Sequence, residues 1–289
     1  MNNILFYPNP TKRNIKDAAT CVLKYLEKFH GINVLIPDEC RPVLPEGMPV
    51  KTSAMEKCLE SSDMLLVLGG DGSILHVAQD AAENDLPILG INLGRIGFMT
   101  ELEADELQFL DDIIRGNFRI DKRMMLDVKV FRDDKVIFNK AALNDAAITK
   151  GEIIKMIEIA LSSDSCPLIK YSGDGVIIST PTGSTAYSFA AGGPIVEPTS
   201  ENIIITPICA HALNAKPFVL SSCRVVGIEP LSITEKAAYL SVDGGSALRL
   251  IEGDIIKVQK SQLYTRLIRI KDTGFYEIIS RKLSNGGSV

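Results

Sequence analysis

Two patterns of hydrophobic and polar positions divide the chain near residue 122. Before that point, short apolar runs alternate with segments in which apolar residues recur every three or four positions. The runs predict strands at 4–7, 33–36, 64–68 and 87–93. The spaced positions predict three helices, whose apolar faces are Ile15, Ala18, Val22, Leu26 and Phe29 in the first, Ile74, Val77, Ala78 and Ala81 in the second, and Leu107, Leu110 and Ile114 in the third. The proline-rich stretch 38–49 predicts a loop. Strands that alternate with helices are typical of an open, mostly parallel α/β sheet.

Helical periodicity nearly disappears from Lys122 to about residue 270. Short apolar runs separated by turn residues predict strands at 125–132, 135–143, 156–161, 175–180, 202–208, 224–230, 237–244 and 254–260, which together indicate an all-β domain. The segment 264–283 is typical of a strand followed by a short helix. We therefore expect an α/β domain over 1–121, a β-rich domain over 122–265, and a tail over 266–289 that packs back on the first domain.

Composition and charge narrow the classes of partner. With 289 residues, of which 46% are hydrophobic, the chain is long enough to bury two cores. The net charge is −5 and the sequence pI is near 5.4, so no basic surface for nucleic acid is indicated. Apolar runs fall short of the roughly 20 residues of a membrane span, and the first residues lack the apolar segment of a secretory leader. We expect a cytoplasmic protein with no nucleic-acid and no membrane partner.

The cysteines and histidines argue against a zinc site. Six cysteines, at positions 21, 40, 58, 166, 209 and 223, are scattered without a Cys-x-x-Cys pair, and the chain has only three histidines. No metal-ligating residues are predicted. We expect the cysteines to be buried, free thiols in a reducing compartment.

A glycine-rich turn, GGDG, follows the third predicted strand and precedes a predicted helix. Gly69, Gly70 and Gly72 allow the backbone to approach a phosphate and to offer N–H donors, and Ser73 adds a hydroxyl that could bind the same anion or cap the helix. The alternative is a tight turn in which Asp71 caps the helix. Neither a Walker A loop nor a GxGxxG fingerprint is present, so backbone amides and Mg²⁺ would have to hold the phosphate.

A second unusual stretch, TPTGSTAY at 180–187, crowds small hydroxyl groups around a proline and a glycine. Such a loop suits hydrogen bonds to a polar ligand such as ribose or adenine, and an ordinary Ser/Thr-rich surface loop is the alternative.

The Asn144-Asp145 pair interrupts an apolar segment. Either the two polar side chains point into a site or, as the alternative, both are exposed to solvent. Adjacent strand side chains face opposite ways, so the chain must bend if both point into one site. The VDGG sequence at 242–245 predicts a hairpin turn.

In this order, these motifs resemble those of the NAD kinases, which phosphorylate the adenosine ribose 2′-hydroxyl of NAD to make NADP. The GGDG motif alone also occurs in lipid kinases and phosphofructokinases, but GGDG followed by TPTGSTAY is far more specific. The resemblance spans most of the chain, at 68–75, 90–101, 122–128, 143–151, 172–196, 206–221, 240–245 and 266–283. It implies the fold that NAD kinases share with diacylglycerol kinases: an α/β domain, then a β-rich domain, with the tail returning to the first.

The resemblance also implies roles for individual residues. Asp71 would be the base that takes the proton from the attacking 2′-hydroxyl, while Mg²⁺ carried on the donor's phosphates offsets the repulsion between them. The implied substrate-binding residues are Gly70, Gly72 and Ser73 at the phosphoryl-transfer end, Phe98 beside the nucleotide, Asn144 and Asp145 on the ribose hydroxyls, Thr182, Thr185, Ala186 and Tyr187 around the adenosine, and Asp174 at the nicotinamide amide.

The implied partners are NAD and ATP, with polyphosphate or NADH as possible replacements. The family forms dimers and tetramers through its β domain, so a homodimer or homotetramer is expected.

Two departures from the family pattern stand out: the family usually has Glu at the position of Asp145, and Arg at the position of Lys216. The neighbouring His211 is expected to be structural. Two alternatives to an NAD kinase remain: a lipid or sugar kinase of the wider GGDG group, and a dinucleotide-binding protein without turnover.

Overall fold

The computed structural model describes residues 2–12, 15–45, 50–94, 97–151, 155–212, 214–231 and 237–284, without the side chain of Leu283. Contacts divide the chain into two units. The α/β unit consists of Met1–Lys122 and Thr265–Val289, and the β unit consists of Arg123–Tyr264.

The helices and strands follow one another along the chain as the hydrophobic pattern predicts in outline. The helices are α1 (Ile15–Leu26), α2 (Met55–Glu60), α3 (Asp71–Glu83), α4 (Leu110–Ile114), α5 (Tyr187–Ala190) and α6 (Phe275–Ser284). The strands are β1 (Asn3–Pro8), β2 (Asn33–Pro37), β3 (Lys51–Ser53), β4 (Met64–Leu68), β5 (Pro87–Asn92), β6 (Leu102–Glu103), β7 (Arg119–Arg132), β8 (Lys135–Ala142), β9 (Asp145–Lys150), β10 (Ile157–Ser163), β11 (Cys166–Gly173), β12 (Gly175–Ser179), β13 (Asn202–Ile208), β14 (Phe218–Ser221), β15 (Val226–Leu231), β16 (Ala238–Val242), β17 (Leu248–Leu250) and β18 (Ile255–Arg269).

A parallel sheet forms the centre of the α/β unit. Its order is β5-β4-β1-β2-β3, and the last residues of β18 run parallel to the start of β5, where Arg266 lies opposite Pro87. All five residues of β4 are buried, as expected for a central strand covered on both faces. Ligands of such sheets collect at the carboxyl ends of the strands, and the GGDG turn lies at that end of β4.

Antiparallel sheets form the β unit. One has the order β14-β13-β12-β9-β16-β17, and in the other β10 pairs with β11 and β15, and β15 pairs with β18. Alternate residues of these strands share a core, in which Val176 and Ile178 of β12 and Ile157 and Ile159 of β10 are fully buried. The prediction of an open, mostly parallel α/β domain followed by an all-β domain is confirmed.

Some local predictions are wrong. Part of the predicted loop 38–49 is a 3-10 helix over Asp38–Val43, which buries Cys40 and Val43, and residues 46–49 lie outside the described part of the chain. Helix α1 ends at Leu26, before Phe29. The helix predicted from Leu107 begins as a 3-10 turn, and only its last part is α4. The 3-10 segments, of six and three residues, are too short for periodicity to specify their type, and apolar spacing alone does not fix the residue at which a helix such as α1 ends.

The cysteines are free thiols, but most of them are not buried. Cys40 and Cys58 lie in the core, whereas Cys21, Cys166, Cys209 and Cys223 are exposed. Cys21 lies outside the buried face of α1, which is formed by Ile15, Ala19, Val22, Leu23 and Leu26. Within the described residues, no helix is both long enough and apolar enough to cross a membrane.

Candidate active site

Asp71 is the first residue of α3, directly after the carboxyl end of β4. Its carboxylate accepts three backbone hydrogen bonds from a distant loop: Phe98 N donates to Oδ2 at 2.7 Å, and Met99 N and Thr100 N donate to Oδ1 at 3.0 and 3.2 Å. The start of α3 has no side-chain cap at Gly70. The alternative in which Asp71 caps its own helix is therefore wrong, because the carboxylate binds the backbone of residues 98–100. We call these three hydrogen bonds the Asp71 clamp.

The same loop is held from its other side by Arg269 of β18. The guanidinium donates to the carbonyl oxygens of Phe98, Met99 and Thr100 at 3.1 to 3.3 Å, and to Glu101 Oε2 at 3.1 Å. Asp71 thus binds the N–H groups of this loop while Arg269 binds its carbonyl groups. Sequence reasoning missed Arg269, because no local pattern links a basic strand residue to a loop 170 positions earlier.

Two glycines permit close approach at this turn. A Cβ at Gly97 would lie 2.2 Å from Asp71 Oδ1, and one at Gly69 would lie 2.1 Å from Ser73 Oγ. In contrast, no atom of the described part of the chain lies within 4 Å of a Cβ at Gly72. The GF sequence at 97–98 was the only signal that could have indicated Gly97.

Ser73 is fully buried, and its hydroxyl accepts a hydrogen bond of 2.8 Å from Asn9 Nδ2. The interaction fixes the start of α3 to the segment that follows β1. Among the described residues, a Cβ at Gly70 would have one neighbour within 4 Å, Asn92 Oδ1 at 3.8 Å. The turn is thus fixed on its Ser73 side and open on its Gly72 side.

Helix α6 approaches the Asp71 clamp through Phe98. The rings of Phe98 and Phe275 are 6.3 Å apart, and the Lys282 ammonium lies 3.9 Å from the centre of the Phe98 ring. Burial lowers the pKa of Lys282, and the charge of Asp71 opposes that shift in part. A cation, an aromatic ring and a carboxylate are therefore neighbours in the α/β unit.

In the β unit, Asn144 and Asp145 are 7% and 6% exposed, so the solvent-exposed alternative is wrong. The carboxylate of Asp243 accepts hydrogen bonds from the backbone N–H groups of Leu143, Asn144 and Asp145 at 2.7, 2.8 and 3.0 Å. Three consecutive amides cannot point to one carboxylate from a regular strand. The chain therefore bends at the start of β9, as the sequence pattern requires if both side chains serve one site.

The VDGG segment thus has two roles. It forms the predicted hairpin turn, since it connects the antiparallel strands β16 and β17 and has positive φ at Asp243 and Gly244. It also supplies the carboxylate that holds the Asn144-Asp145 bend. Sequence reasoning missed this second role, because the two segments are about 100 residues apart.

Burial sets the electrostatics of this bend. Desolvation, and next the neighbouring Asp243 carboxylate, raise the pKa of Asp145 to about 7. Desolvation also raises the pKa of Asp243, against the opposing effect of its three amide donors. Within the described residues, Asn144 Oδ1 is buried without a hydrogen-bond partner. A buried acceptor of this kind calls for a donor from a ligand or from water.

Residues 180–187, which we call the hydroxyl-rich loop, pack against this bend. Thr180 Oγ1 donates to Leu143 O at 2.6 Å, and Thr180 N donates to Asn144 O at 2.9 Å. A Cβ at Gly183 would lie 2.1 Å from Asn144 O, so only glycine fits there. Because Thr180 and Ser184 are fully buried, the surface-loop alternative is wrong. Several of the hydroxyl groups stabilise the loop itself.

The remaining predicted residues lie at the end of this loop or beside it. Thr182 is buried and accepts a hydrogen bond from Arg123 Nη1 at 3.3 Å, and Thr185 donates to Thr182 O at 3.2 Å. Ala186 connects this turn to α5, which Tyr187 begins with 44% of its surface exposed. The half-exposed ring is available to a ligand.

Tyr187 and Asp174 belong to the same electrostatic environment as Asp145. Burial has the largest effect on the pKa of Tyr187, which it raises, and the charges of Asp145, Cys209 and Asp174 raise this pKa further. Asp174 forms an ion pair of 2.6 Å with Lys150, a residue that sequence reasoning missed. The β unit therefore brings the bend, the hydroxyl-rich loop and Asp174 together.

His211 and Lys216 are both exposed, and the backbone N–H of His211 donates to Ser172 O at 2.8 Å. Among the residues that the structure describes, no three of His, Cys, Asp and Glu gather as metal ligands would.

Matches to known proteins identify the family. Residues 4–118 match the ATP-NAD kinase N-terminal domain, and residues 143–270 match the ATP-NAD kinase C-terminal domain. The chain belongs to the NAD kinase family. Its relatives include the NAD kinase of Thermoanaerobacter pseudethanolicus, 44% identical over 98% of this chain and 99% of that protein, and the NAD kinase of Natranaerobius thermophilus, 38% identical over the full length of both.

Solved structures of NAD kinases have the same fold. Yeast NADH kinase, crystallised with NADH, is 25% identical, covers 100% of this chain and 89% of its own, and superimposes with a TM-score of 0.89. An Archaeoglobus fulgidus NAD kinase in complex with ATP is also 25% identical, with a TM-score of 0.69 over 97% of this chain and 99% of its own.

Membership of the NAD kinase family settles the class of reaction. The chain is a phosphotransferase that transfers the γ-phosphoryl group of ATP to the 2′-hydroxyl of the adenosine ribose of NAD. NAD kinases use a divalent metal together with ATP. The lipid- or sugar-kinase alternative and the non-catalytic alternative are therefore set aside.

Proposed function

We propose that Asp71 is the general base of this NAD kinase. In the reaction, the 2′-oxygen of NAD forms a bond to the γ-phosphorus, the bond to the bridging oxygen breaks, ADP leaves with that electron pair, and Asp71 accepts the hydroxyl proton. The observation that carries the proposal is the amide clamp on Asp71. Oδ1 accepts two of its hydrogen bonds and Oδ2 accepts one, so one lone pair of Oδ2 remains for the proton.

The start of α3 would bind the donor's phosphates. A helix of 13 residues has a positive N-terminal end with unpaired N–H groups, which favours phosphate, and Gly70 and Gly72 leave space there. Ser73 would stabilise this turn through its hydrogen bond with Asn9. Mg²⁺ suits this donor set, because it prefers oxygen ligands and commonly brings most of them as phosphates and water, and it would neutralise charge on the triphosphate. The donor's phosphates and water would hold the ion, and the free lone pair of Asp71 stays available for the proton.

The bend and the hydroxyl-rich loop of the β unit would bind NAD. The unpartnered Asn144 Oδ1 suits a ribose hydroxyl donor, and Asp145 lies beside it. The remaining proposed contacts are Thr182, Thr185, Ala186 and Tyr187 around the adenosine, Asp174 at the nicotinamide amide, and Phe98 beside the nucleotide. The half-exposed Tyr187 ring supports an aromatic contact to the base.

The family resemblance supports further parts of this proposal. We infer a cytoplasmic homodimer or homotetramer assembled through the β domain. The complex of the yeast relative with NADH supports NADH as a second acceptor, and the archaeal complex supports ATP.

A coupled assay tests the proposed base. Wild-type protein, Asp71→Asn and the exposed control Asp105→Asn are mixed with NAD, ATP and Mg²⁺, and NADP is measured with an NADP-specific dehydrogenase. We expect Asp71→Asn to lower turnover by roughly 100-fold or more, as loss of a positioned base does, with NAD affinity within a few-fold. Asp105→Asn should match the wild type. Near-normal turnover of Asp71→Asn would remove Asp71 from the mechanism.

A further inference from the structure

The GGDG turn lacks the lysine that P-loop kinases use to neutralise phosphate, yet a triphosphate needs a positive partner beside it. Among the residues that the structure describes, two cations near the Asp71 clamp already have other partners. Arg269 binds the carbonyl groups of residues 98–100 and the Glu101 carboxylate, and Lys271 forms an ion pair with Glu106. Neither is available to a ligand without breaking these interactions.

Lys282 of α6 differs from both. In the described part of the chain its ammonium forms no ion pair, and it lies 3.9 Å from the centre of the Phe98 ring. Phe98 is the residue whose backbone N–H donates to Asp71 Oδ2. The aromatic ring therefore places a positive charge beside the carboxylate proposed as the base.

The surroundings of Lys282 suit it to bind an anion. Its side chain is half-buried, so the ammonium has lost part of its hydration, and this burial lowers the pKa of Lys282. A partly dehydrated ammonium interacts more strongly with an arriving phosphate than one in open water, because water screens the charges less. Contact with an aromatic face compensates only part of the lost hydration.

Helix α6 is positioned to present this cation. Phe275, at its start, packs against Phe98, so two residues of the helix contact the same ring. The neighbouring Arg281 is exposed and forms an ion pair with Glu277 on the same helix. Lys282 thus differs from Arg281 in two ways: among the described residues its cation contacts an aromatic ring and not a carboxylate, and its side chain is half-buried and not exposed.

We propose that Lys282 is the phosphate-binding cation of the GGDG turn, where its ammonium contacts the triphosphate of the donor nucleotide. The inference rests on the proposed placement of phosphoryl transfer at Asp71. It assigns to the C-terminal helix the part that the P-loop lysine has in other kinases. Lysine meets a phosphate as a compact point charge, so arginine at this position should replace it in part.

The test compares Lys282→Met, Lys282→Gln and Lys282→Arg with the control Arg281→Met. Steady-state kinetics give KM for ATP, KM for NAD and kcat, and inorganic tripolyphosphate is used as an inhibitor competing with ATP. We expect the two neutral variants to raise KM for ATP, and to weaken inhibition by tripolyphosphate, by about 10-fold, as loss of a charge-assisted phosphate contact does. KM for NAD should stay within about 2-fold, Lys282→Arg should recover most of the loss, and Arg281→Met should match the wild type.

Two results would overturn the inference. Unchanged KM for ATP and unchanged tripolyphosphate inhibition in the neutral variants would show that Lys282 does not meet phosphate. Equal losses toward ATP and NAD, with a lowered melting temperature and no recovery in Lys282→Arg, would show that it only supports Phe98. Asp71→Asn in the same series separates the two proposals, because normal turnover of that variant rejects the base without changing the outcome for Lys282.

Discussion

At the scale of single residues, one carboxylate organises a loop that is 27 to 29 positions away in sequence. Asp71 fixes the amides of residues 98–100, and Arg269 fixes their carbonyl groups. Catalysis depends on such fixed positions, since a displacement of about 1 Å at a reacting group can cost about 100-fold in rate. The close approach at Gly97 makes this dependence testable without removing the carboxylate.

We expect Gly97→Ala to lower turnover by about 10- to 100-fold, because its Cβ would lie 2.2 Å from Asp71 Oδ1 and must displace it. Gly94→Ala is the matched control, since a Cβ at Gly94 meets no described residue within 4 Å. Initial rates and NAD affinity are measured for both variants. Equal rates for Gly97→Ala and Gly94→Ala would show that the position of Asp71 tolerates the displacement.

At the scale of structural elements, the hydroxyl-rich loop and the bend before β9 form one structure. Thr180 is bonded to Leu143 and Asn144, and Gly183 lies directly against the carbonyl group of Asn144. Asp243, in the turn after β16, holds the same bend from another strand. Three separate segments therefore fix the geometry that we propose for ribose binding.

The Gly183→Ala substitution should separate two of these segments. A Cβ would lie 2.1 Å from Asn144 O, so the loop must move away from the bend. We expect a loss of roughly 1–3 kcal/mol in the free energy of unfolding, as overpacking of a buried site causes, together with a higher KM for NAD. Denaturant unfolding and kinetics are compared with those of Gly94→Ala. Unchanged stability and KM would show that the loop repacks without consequence.

The sequence predicts these elements better than it predicts their contacts. Periodicity indicates the parallel sheet and the change to β structure, because alternation and helical spacing are local properties of the chain. It misses β3 and α2, which are only three and six residues long. The motifs identify Asp71 and Asn144, but not Arg269 or the second role of Asp243. Those contacts join residues about 100 to 170 positions apart, and only the folded chain brings them together.

At the scale of the whole molecule, the buried Asp145 couples folding to pH. Its pKa is raised to about 7, mainly by desolvation, while an unfolded aspartate titrates near 3.9. Between about pH 4 and pH 7 the folded state therefore binds more protons than the unfolded state, and stability falls as the pH rises. The raised pKa of Asp243 acts in the same direction.

We expect Asp145→Asn to remove part of this pH dependence. Between pH 5 and pH 8, the melting temperature of the variant should rise relative to that of the wild type, by about 2–4 °C for each kcal/mol of relieved destabilisation. Thermal unfolding at four pH values gives this difference. Asp164→Asn is the control, because hydrogen bonds from the Val225 amide and Arg224 lower the pKa of that exposed carboxyl. Its difference from the wild type should be constant over this range. Parallel curves for Asp145→Asn and the wild type would contradict the prediction.

The pairing of β18 with β5 has a consequence for synthesis on the ribosome. Pro87 and Ile88 lie beside Arg266 and Leu267, and Arg266 also forms an ion pair with Asp85, 181 positions earlier. At about 5–20 residues per second, translation reaches this partner roughly 10–40 s after β5 has been made. During that interval the nascent chain presents an incomplete strand edge, which other chains can pair with. We therefore expect the nascent chain to be most prone to pairing with other chains while the β unit is being translated.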